Sequence, residues 1–483
     1  MDKKKLLRGT LWKFFERVGV FGTQFVVQII LARLLSPSDY GALNIMMVFI
    51  TISNVLIQTG FSTALVQRKD IEEADYSSVL WVSLLFSILV YCVIFGLSGI
   101  IAKLYHSPEL KWTLRVIALV LFPGAINSVQ LAKVTKELDF KCIFYSNLSG
   151  AIASGIVGIL MAMHGYGLWA LVVQYLINVT VCCVVMRITV FIKIYYRIEI
   201  NRIKIFLSFG WKLILSGLLN TLSEQLNSMI IGYKYTTESL GYYSRGMQFP
   251  NYGISIIEGT MTGILLPSIA KAQDDRKEAK NIMRHSMLFT SFLVFPLMGG
   301  LAICAREVVI ILLTGKWLSC VPYLQIFCGV FALYPVHICN LQTLNALGRS
   351  DLFLKLELIK KSYSIALVIL MIILYDSPLA VAVCTLLISP IGWYVNALPN
   401  KNLIDYDAFQ QAKDIFPIFL NTLFMMLIVY VCSFLNLSPL LMLACKIVIG
   451  LISYIIISIV TRNEQFILVQ KLIHGLLSRR KEV

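Results

Sequence analysis

Charge is scarce in this chain. Asp, Glu, Lys and Arg make up 14% of 483 residues, where soluble domains carry about 25%. Acids are scarcer still, 26 against 42 bases, for a net charge of +16. The five His (His106, His164, His285, His337, His474) stand apart from one another, and the eleven Cys follow no metal-ligand spacing. Zinc and haem chemistry are therefore not indicated, and the Cys read as small apolar residues inside apolar runs. Long polar stretches are missing too, so there is no room for a soluble catalytic domain between the apolar runs. No cleavable leader is evident: the basic start Met1 to Arg8 reads as running into a full-length span with no small-residue cleavage site. The basic excess is not a nucleic-acid signal, because the Lys and Arg sit between apolar runs.

Hydrophobic residues are abundant, at 58% with a mean hydropathy of +0.79. Apolar runs of about 20 residues recur along the whole chain, the signature of an all-α polytopic membrane protein. Breaking at charged or Pro/Gly-rich joints predicts about 14 spans: 10–35, 39–66, 76–104, 110–134, 142–163, 168–191, 206–233, 239–269, 282–313, 318–347, 353–375, 378–398, 414–434 and 438–461. Most Lys and Arg fall in alternate loops, which sets both termini in the cytoplasm. The outer loops are short. Ile192 to Lys204 and the face Phe466, Val469, Leu472, Ile473 and Leu476 read as amphipathic surface segments.

One polar stripe occurs twice. Lys212, Ser216, Asn220, Ser223 and Asn227 share a face of an otherwise apolar helix, and an offset of 199 lays Lys13, Arg17, Gln24 and Gln28 on four of them. A second pair repeats at an offset of 200: Asn44, Thr51 and Gln58 match Ser244, Asn251 and Glu258, where Arg245, Gln248 and Tyr252 join the stripe. Tyr40-Gly41-Ala42 matches Leu240-Gly241-Tyr242 at the same offset, and Pro123 with Gln130 recurs as Pro335 with Gln342 at 212. The chain therefore reads as two parallel six-span lobes, 1–204 and 205–398, followed by two extra spans and a cytoplasmic amphipathic tail in 399–483.

An ionised side chain at mid-bilayer costs about 2.5–3.5 kcal/mol, so several together need a common reason. A hydrated cavity between the lobes supplies one. Arg17, Lys212 and Arg245 would meet a pyrophosphate. Gln24, Gln28, Asn44, Gln58, Asn220, Ser223, Asn227, Gln248, Asn251 and Tyr252 would meet sugar hydroxyls, being donors and acceptors. Glu16, Glu224 and Glu258 are candidates for proton or Na⁺ coupling. The plainer reading of the same residues is hydrogen bonding between helices. Lys13 has a third reading, snorkelling to the inner face. Arg33, Arg306, Lys316 and Trp317 read as interfacial anchors. Arg115 and Lys446 carry no assignment.

The motifs resemble a known family. Trp12 with Glu16-Arg17, LARLLSPSDYG (Leu31 to Gly41), GFSTALVQRKD (Gly60 to Asp70), KELDFK (Lys136 to Lys141) and GYGLWALV (Gly165 to Val172) look like Wzx-like oligosaccharide flippases. So do GWKLILSGLLN (Gly210 to Asn220), ESLGYYSRG (Glu238 to Gly246), LLPSIAK (Leu265 to Lys271), GKWLSCVPYLQI (Gly315 to Ile326) and NALGRSDLFLK (Asn345 to Lys355). These flippases belong to the multidrug/oligosaccharidyl-lipid/polysaccharide exporter superfamily, of which the drug-exporting MATE proteins are also members. Gln58 departs from the pattern, since many relatives carry an acid there. The resemblance implies a bacterial inner-membrane protein with no cofactor. It implies passage of undecaprenyl-pyrophosphate-linked oligosaccharides between leaflets by alternating access, for O-antigen, capsule or exopolysaccharide. Lipid-linked oligosaccharide and membrane lipids are the expected partners, with a polymerase of the pathway nearby and the chain itself a monomer. A cation-coupled drug exporter of the same fold is the main alternative, and a polysaccharide polymerase or ligase is a more distant one.

Overall fold

The computed structural model describes residues 3–59, 65, 71–137, 140–193, 195, 200–435, 437–467 and 470. Of these, the side chains of 3–18, 59, 200–210, 212, 213, 256 and 260 are outside the description. Among the described residues there is no strand. Fourteen long helical segments follow one another among the described residues. They are α1 (Lys3–Leu34), α2 (Pro37–Asn54, running on into a π-helical turn Val55–Thr59), α3 (Glu73–Leu104), α4 (Leu110–Glu137), α5 (Phe140–Met163), α6 (Leu168–Thr189) and α7 (Ile200–Lys234). Then come α8 (Thr237–Lys271), α9 (Arg276–Ile303), α10 (Gly315–Ala346), α11 (Ser350–Leu374), α12 (Pro378–Ile404), α13 (Ala408–Cys432) and α14 (Pro439–Val460). A short helix, Ala305–Leu312, lies between α9 and α10.

Eleven of these are long and apolar enough to cross a membrane, and α1 adds the apolar stretch Gly19–Leu34. The other two, α7 and α11, have 35 and 25 residues. At about 1.5 Å per residue both exceed a hydrocarbon core of about 30 Å. The large exposed side chains are those of a lipid-facing surface: Leu85, Ile88, Leu89 and Val93 on α3, and Ile447, Val448, Leu451 and Ile455 on α14. Of the predicted surface segment Ile192 to Lys204, residues 194 and 196–199 lie outside the described residues and 200–204 begin α7; residues 468, 469 and the tail beyond 470 lie outside as well.

Helix starts follow local chemistry. Ser36 caps α2, with Pro37 at the first helical position. The Asp39 amide donates to Ser36 Oγ at 3.2 Å, and the Ser36 amide donates back to Asp39 Oδ2 at 2.9 Å. One leg of this capping box recurs 200 residues on, where the Ser239 amide donates to Thr236 Oγ1 at 3.1 Å. Pro123 and Pro335, matched in the repeat, each follow an interruption: a 3₁₀ turn at Ala118–Val120 and a break at Leu333. Proline loses nothing there, because the first amides of a helix have no internal acceptor.

Contacts divide the chain into two compact units, Met1–Gly241 and Tyr242–Val483. In the first, small residues let helices approach. A Cβ on Gly150 of α5 would lie 2.5 Å from Cys182 Sγ of α6, and one on Gly155 would lie 2.5 Å from Val27 of α1. Hydroxyls and amides stitch the same seam. Ser146 Oγ donates to the Cys182 carbonyl at 2.7 Å, and Asn178 Nδ2 donates to Ser154 Oγ at 3.2 Å. Arg115, left without an assignment by the sequence, stacks its guanidinium 4.0 Å from the Phe95 ring centroid, and its Nε donates to Ser98 Oγ at 2.8 Å.

The second unit is held by Met283, Met287, Phe292, Ile415, Ile418 and Tyr454, and by a buried polar network. Gln411 of α13 accepts from Asn340 Nδ2 and from Trp393 Nε1, each at 2.9 Å, and donates to Asn340 Oδ1 at 3.0 Å. Asn400 Nδ2 donates to the same Asn340 oxygen at 2.7 Å. Lys446 of α14, nearly fully buried, pairs with Glu307 at 2.8 Å. Its neutralised charge explains how an apolar helix tolerates a lysine.

Candidate functional site

The predicted site residues fall in both units, and each half is described by itself. In the first unit Arg17, Glu16 and Lys212 lie on α1 and α7, with their side chains outside the description, as is that of Lys13. Gln24 is exposed and Gln28 half-buried on α1. On α7, Asn220 and Glu224 are exposed one turn apart, and Asn220 Nδ2 donates to Glu224 Oε1 at 2.7 Å. Ser223 turns its hydroxyl to the Leu219 carbonyl at 2.7 Å, and Asn227 is half-buried. The four-residue spacing read from the sequence thus produces a real helical face, whose amide and carboxylate bond each other.

On α2, Asn44 is half-buried. Gln58 lies in the π-helical turn, and its Nε2 donates to Asn54 Oδ1 at 3.0 Å. A Cβ on Gly124 of α4 would come within 3.2 Å of that nitrogen. Uniform α-helical spacing of seven set Gln58 beneath Thr51. A π turn inserts a residue into the ladder, so the phase changes before Gln58 is reached.

In the second unit the polar stripe of α8 forms a chain. Arg245 is 4% exposed and stands 5.9 Å from the Trp317 ring centroid. Its Nη1 donates to Gln248 Oε1, and Gln248 Nε2 donates to Tyr252 OH at 2.6 Å. Asn251 is exposed and Glu258 half-buried on the same helix. Gly246 makes the approach to α10 possible, since a Cβ there would lie 2.5 Å from Tyr323 Cβ. Trp317, expected at a membrane interface, is instead fully buried and set edge-on to Tyr242. Arg245 needs an aromatic face to lie on, and GKWLSC folds as a 3₁₀ turn that delivers one.

Sequence reasoning missed Trp317 under Arg245, the Lys446–Glu307 pair and the Gln411 network. Each contains a polar residue inside an apolar span, which was the available signal. Among the described residues no three of His, Cys, Asp and Glu gather as a metal site. Chemically, the arrangement offers a buried guanidinium, amides and hydroxyls on lipid-soluble helices. Such groups bind anionic and hydroxylated ligands by hydrogen bonds and charge.

An uncharacterized membrane protein in the cps region of Klebsiella pneumoniae is 25% identical over 482 residues, covering 96% of each chain. The lipopolysaccharide biosynthesis protein WzxC of Escherichia coli (strain K12) is 23% identical over 363 residues, 74% of this chain and 73% of that protein. A solved structure of the lipid II flippase MurJ, in an inward closed conformation, matches with a TM-score of 0.75 at 18% identity, covering 95% of this chain and 99% of that one. An inward-facing multidrug resistance MATE transporter matches with a TM-score of 0.60 at 14% identity, covering 79% and 95%. The two structural likenesses show the fold, which this chain shares with that flippase and that transporter. The family described as polysaccharide biosynthesis protein matches residues 30–322, more than half of the chain, and the chain belongs to that family.

Proposed function

We propose that this protein is a flippase. It carries a pyrophosphate-linked oligosaccharide on a polyprenyl anchor from the inner to the outer leaflet of a bacterial cytoplasmic membrane, for surface polysaccharide synthesis. The observation that carries the reading is the chain from buried Arg245 to half-buried Gln248 and Tyr252 on α8, on a helix whose polar stripe repeats on α2. A guanidinium kept deep in an apolar helix supplies a positive field where a phosphate must pass. The names of the relatives and the MurJ-like fold support the same reading.

On this reading Arg17 and Lys212 add charge from α1 and α7. Gln24, Gln28, Asn44, Asn220, Ser223, Asn227 and Asn251 offer hydrogen bonds to sugar hydroxyls. The lobes are the two halves of the internal repeat, 1–204 and 205–398, and both termini face the cytoplasm. The chain acts as a monomer and hands its product to a polymerase of the pathway. Work is done by binding and conformational change, without covalent catalysis. Glu16, Glu224 and Glu258 are the groups through which a proton or Na⁺ gradient would act.

The test is a proteoliposome assay with a fluorescent lipid-linked oligosaccharide, read by its accessibility to a membrane-impermeant quencher. Wild-type protein accelerates exchange between leaflets. Arg17→Ala, Lys212→Ala and Arg245→Ala each slow it roughly tenfold, equivalent to about 1.4 kcal/mol on the barrier. Wild-type rates in all three would overturn the site. Rates indifferent to both imposed gradients would remove the three acids from the coupling role.

A further inference from the structure

Near the N-terminal ends of α9 and α13 in the second unit, a cavity of about 280 Å³ opens between these helices and the turn that follows α14. It is far roomier than the space a single water needs. α14 ends at Val460, and Arg462 then takes a left-handed backbone, φ 48°, a conformation a non-glycine residue adopts only when its surroundings impose it. The imposed bonds are visible. Asn463 N–H returns to the Ser458 carbonyl at 3.0 Å, Asn421 Nδ2 holds Thr461 Oγ1 at 3.0 Å, and Asn463 Oδ1 accepts the Gln465 amide at 3.0 Å.

That turn sets Gln465 in the cavity wall. Its side chain is 3% exposed, and Nε2 is buried with no acceptor among the described residues. A buried amide donor without a partner is rare and implies one that arrives from elsewhere. Around it stand Arg284, Lys413 and Arg462. Two carboxylates also line the cavity. Asp414 is already spent, accepting Arg284 Nε at 2.7 Å, Arg284 Nη2 at 2.9 Å and Tyr406 OH at 2.7 Å. Glu464 is largely solvent-facing, 4.0 Å from Arg284 Nη2. Lys413 and Arg462 have no ion-pair partner among the described residues. Three cations and two carboxylates line the cavity, which thus keeps a net positive charge, two cations without an ion-pair partner among the described residues, and a buried N–H donor.

We propose that this cavity binds a phosphate ester presented at the membrane surface, with Lys413 and Arg462 holding the phosphate charge and Gln465 Nε2 donating to one of its oxygens. Anionic phospholipid is the source the position favours, because basic pockets between membrane helices meet headgroups there. The proposal rests only on the chain being membrane-embedded and stands apart from the transport reading.

Delipidated protein in detergent, titrated with phosphatidylglycerol or phosphatidylcholine and read by native mass spectrometry, tests it. Wild-type protein retains phosphatidylglycerol preferentially, and retention falls with added NaCl. Lys413→Gln/Arg462→Gln lowers phosphatidylglycerol retention roughly tenfold toward the phosphatidylcholine level. Gln465→Leu lowers it severalfold with the charge unchanged. Inorganic phosphate and a short polyprenyl diphosphate form the other arms. A rise in Tm with millimolar phosphate, lost in the double variant, supports the site with a soluble ester as its source. Tighter binding of the diphosphate than of phosphatidylglycerol supports it with the polyprenyl lipid as source. Equal retention by wild type and the charge variant, or by the two phospholipids, overturns it. Should the double variant fail to fold, salt-insensitive retention by wild-type protein overturns it alone.

Discussion

Gly41 of α2 lies directly against the carbonyl of Thr237, at the start of α8: a Cβ on Gly41 would fall 1.6 Å from that oxygen. The contact has a mirror. A Cβ on Gly241 would fall 2.0 Å from the Pro37 carbonyl, and both pairs are related by the offset of 200. Between them Ser38 Oγ and Thr237 Oγ1 share a hydrogen at 2.8 Å. Any side chain at either glycine must push the helix ends apart. Gly41→Ala and Gly241→Ala should each destabilise the protein by about 1–3 kcal/mol, the usual penalty of overpacking. Thermal unfolding in detergent checks this.

The same contact gives a transport prediction. Ser38→Cys/Thr237→Cys puts two thiols where two hydroxyls now touch. If the lobes rock around a central site, these ends must part during the cycle. Oxidation should then form a cross-link in membranes and abolish leaflet exchange, and a reductant should restore it. Full activity in the cross-linked state would show that the ends stay together.

Lys446→Met should cost about 3–5 kcal/mol, because it strands the Glu307 carboxylate inside the bundle. Lys446→Met/Glu307→Gln should recover most of that loss. The pair is 2.8 Å apart with Lys446 3% exposed, so a measured loss well below 1 kcal/mol would mean that water reaches Glu307 once the lysine is gone.

Tyr406 stands in the α12–α13 connection, 1% exposed, with its hydroxyl on Asp414 Oδ2 at 2.7 Å. Burial first, then the bond to the carboxylate, holds the phenol above its ordinary value. An unfolded tyrosine releases its proton near pH 10, while the folded one keeps it. Above that pH the folded chain binds more protons, so stability is intact below about pH 10 and falls as pH rises beyond it. Tyr406→Phe should lower stability by roughly 1.5–3 kcal/mol at neutral pH. It should also flatten the alkaline decline in Tm.

The fold was legible because hydropathy alone separates lipid-facing spans from joints. The joints at Asp376 and at 436–439 are where α11 and α13 end and α12 and α14 begin. The repeat was legible for a steric reason: Gly41 and Gly241 recur because each admits a backbone that any side chain would exclude. The site was legible as a stripe but not as a set of partners. Helical periodicity tells which residues share a face, as Asn220 and Glu224 do. It says nothing of Trp317, more than seventy positions from Arg245 in the chain, nor of a π turn that shifts Gln58 out of phase. Long-range pairs such as Lys446 with Glu307 leave only half a signal each, a charge in an apolar run.

The sequence reading sets the last two helices apart from the repeat, yet in the second compact unit the helices before them are not self-sufficient without them. Gln411 satisfies Asn340 and Trp393, Asp414 grips Arg284, Lys446 neutralises Glu307, and the Tyr454 hydroxyl holds the Phe292 carbonyl at 2.9 Å. A twelve-helix protein cut from this one would expose a row of orphaned polar groups to oil. The terminal hairpin is thus a keystone, and any shortened design has to rewrite the residues it leaves behind.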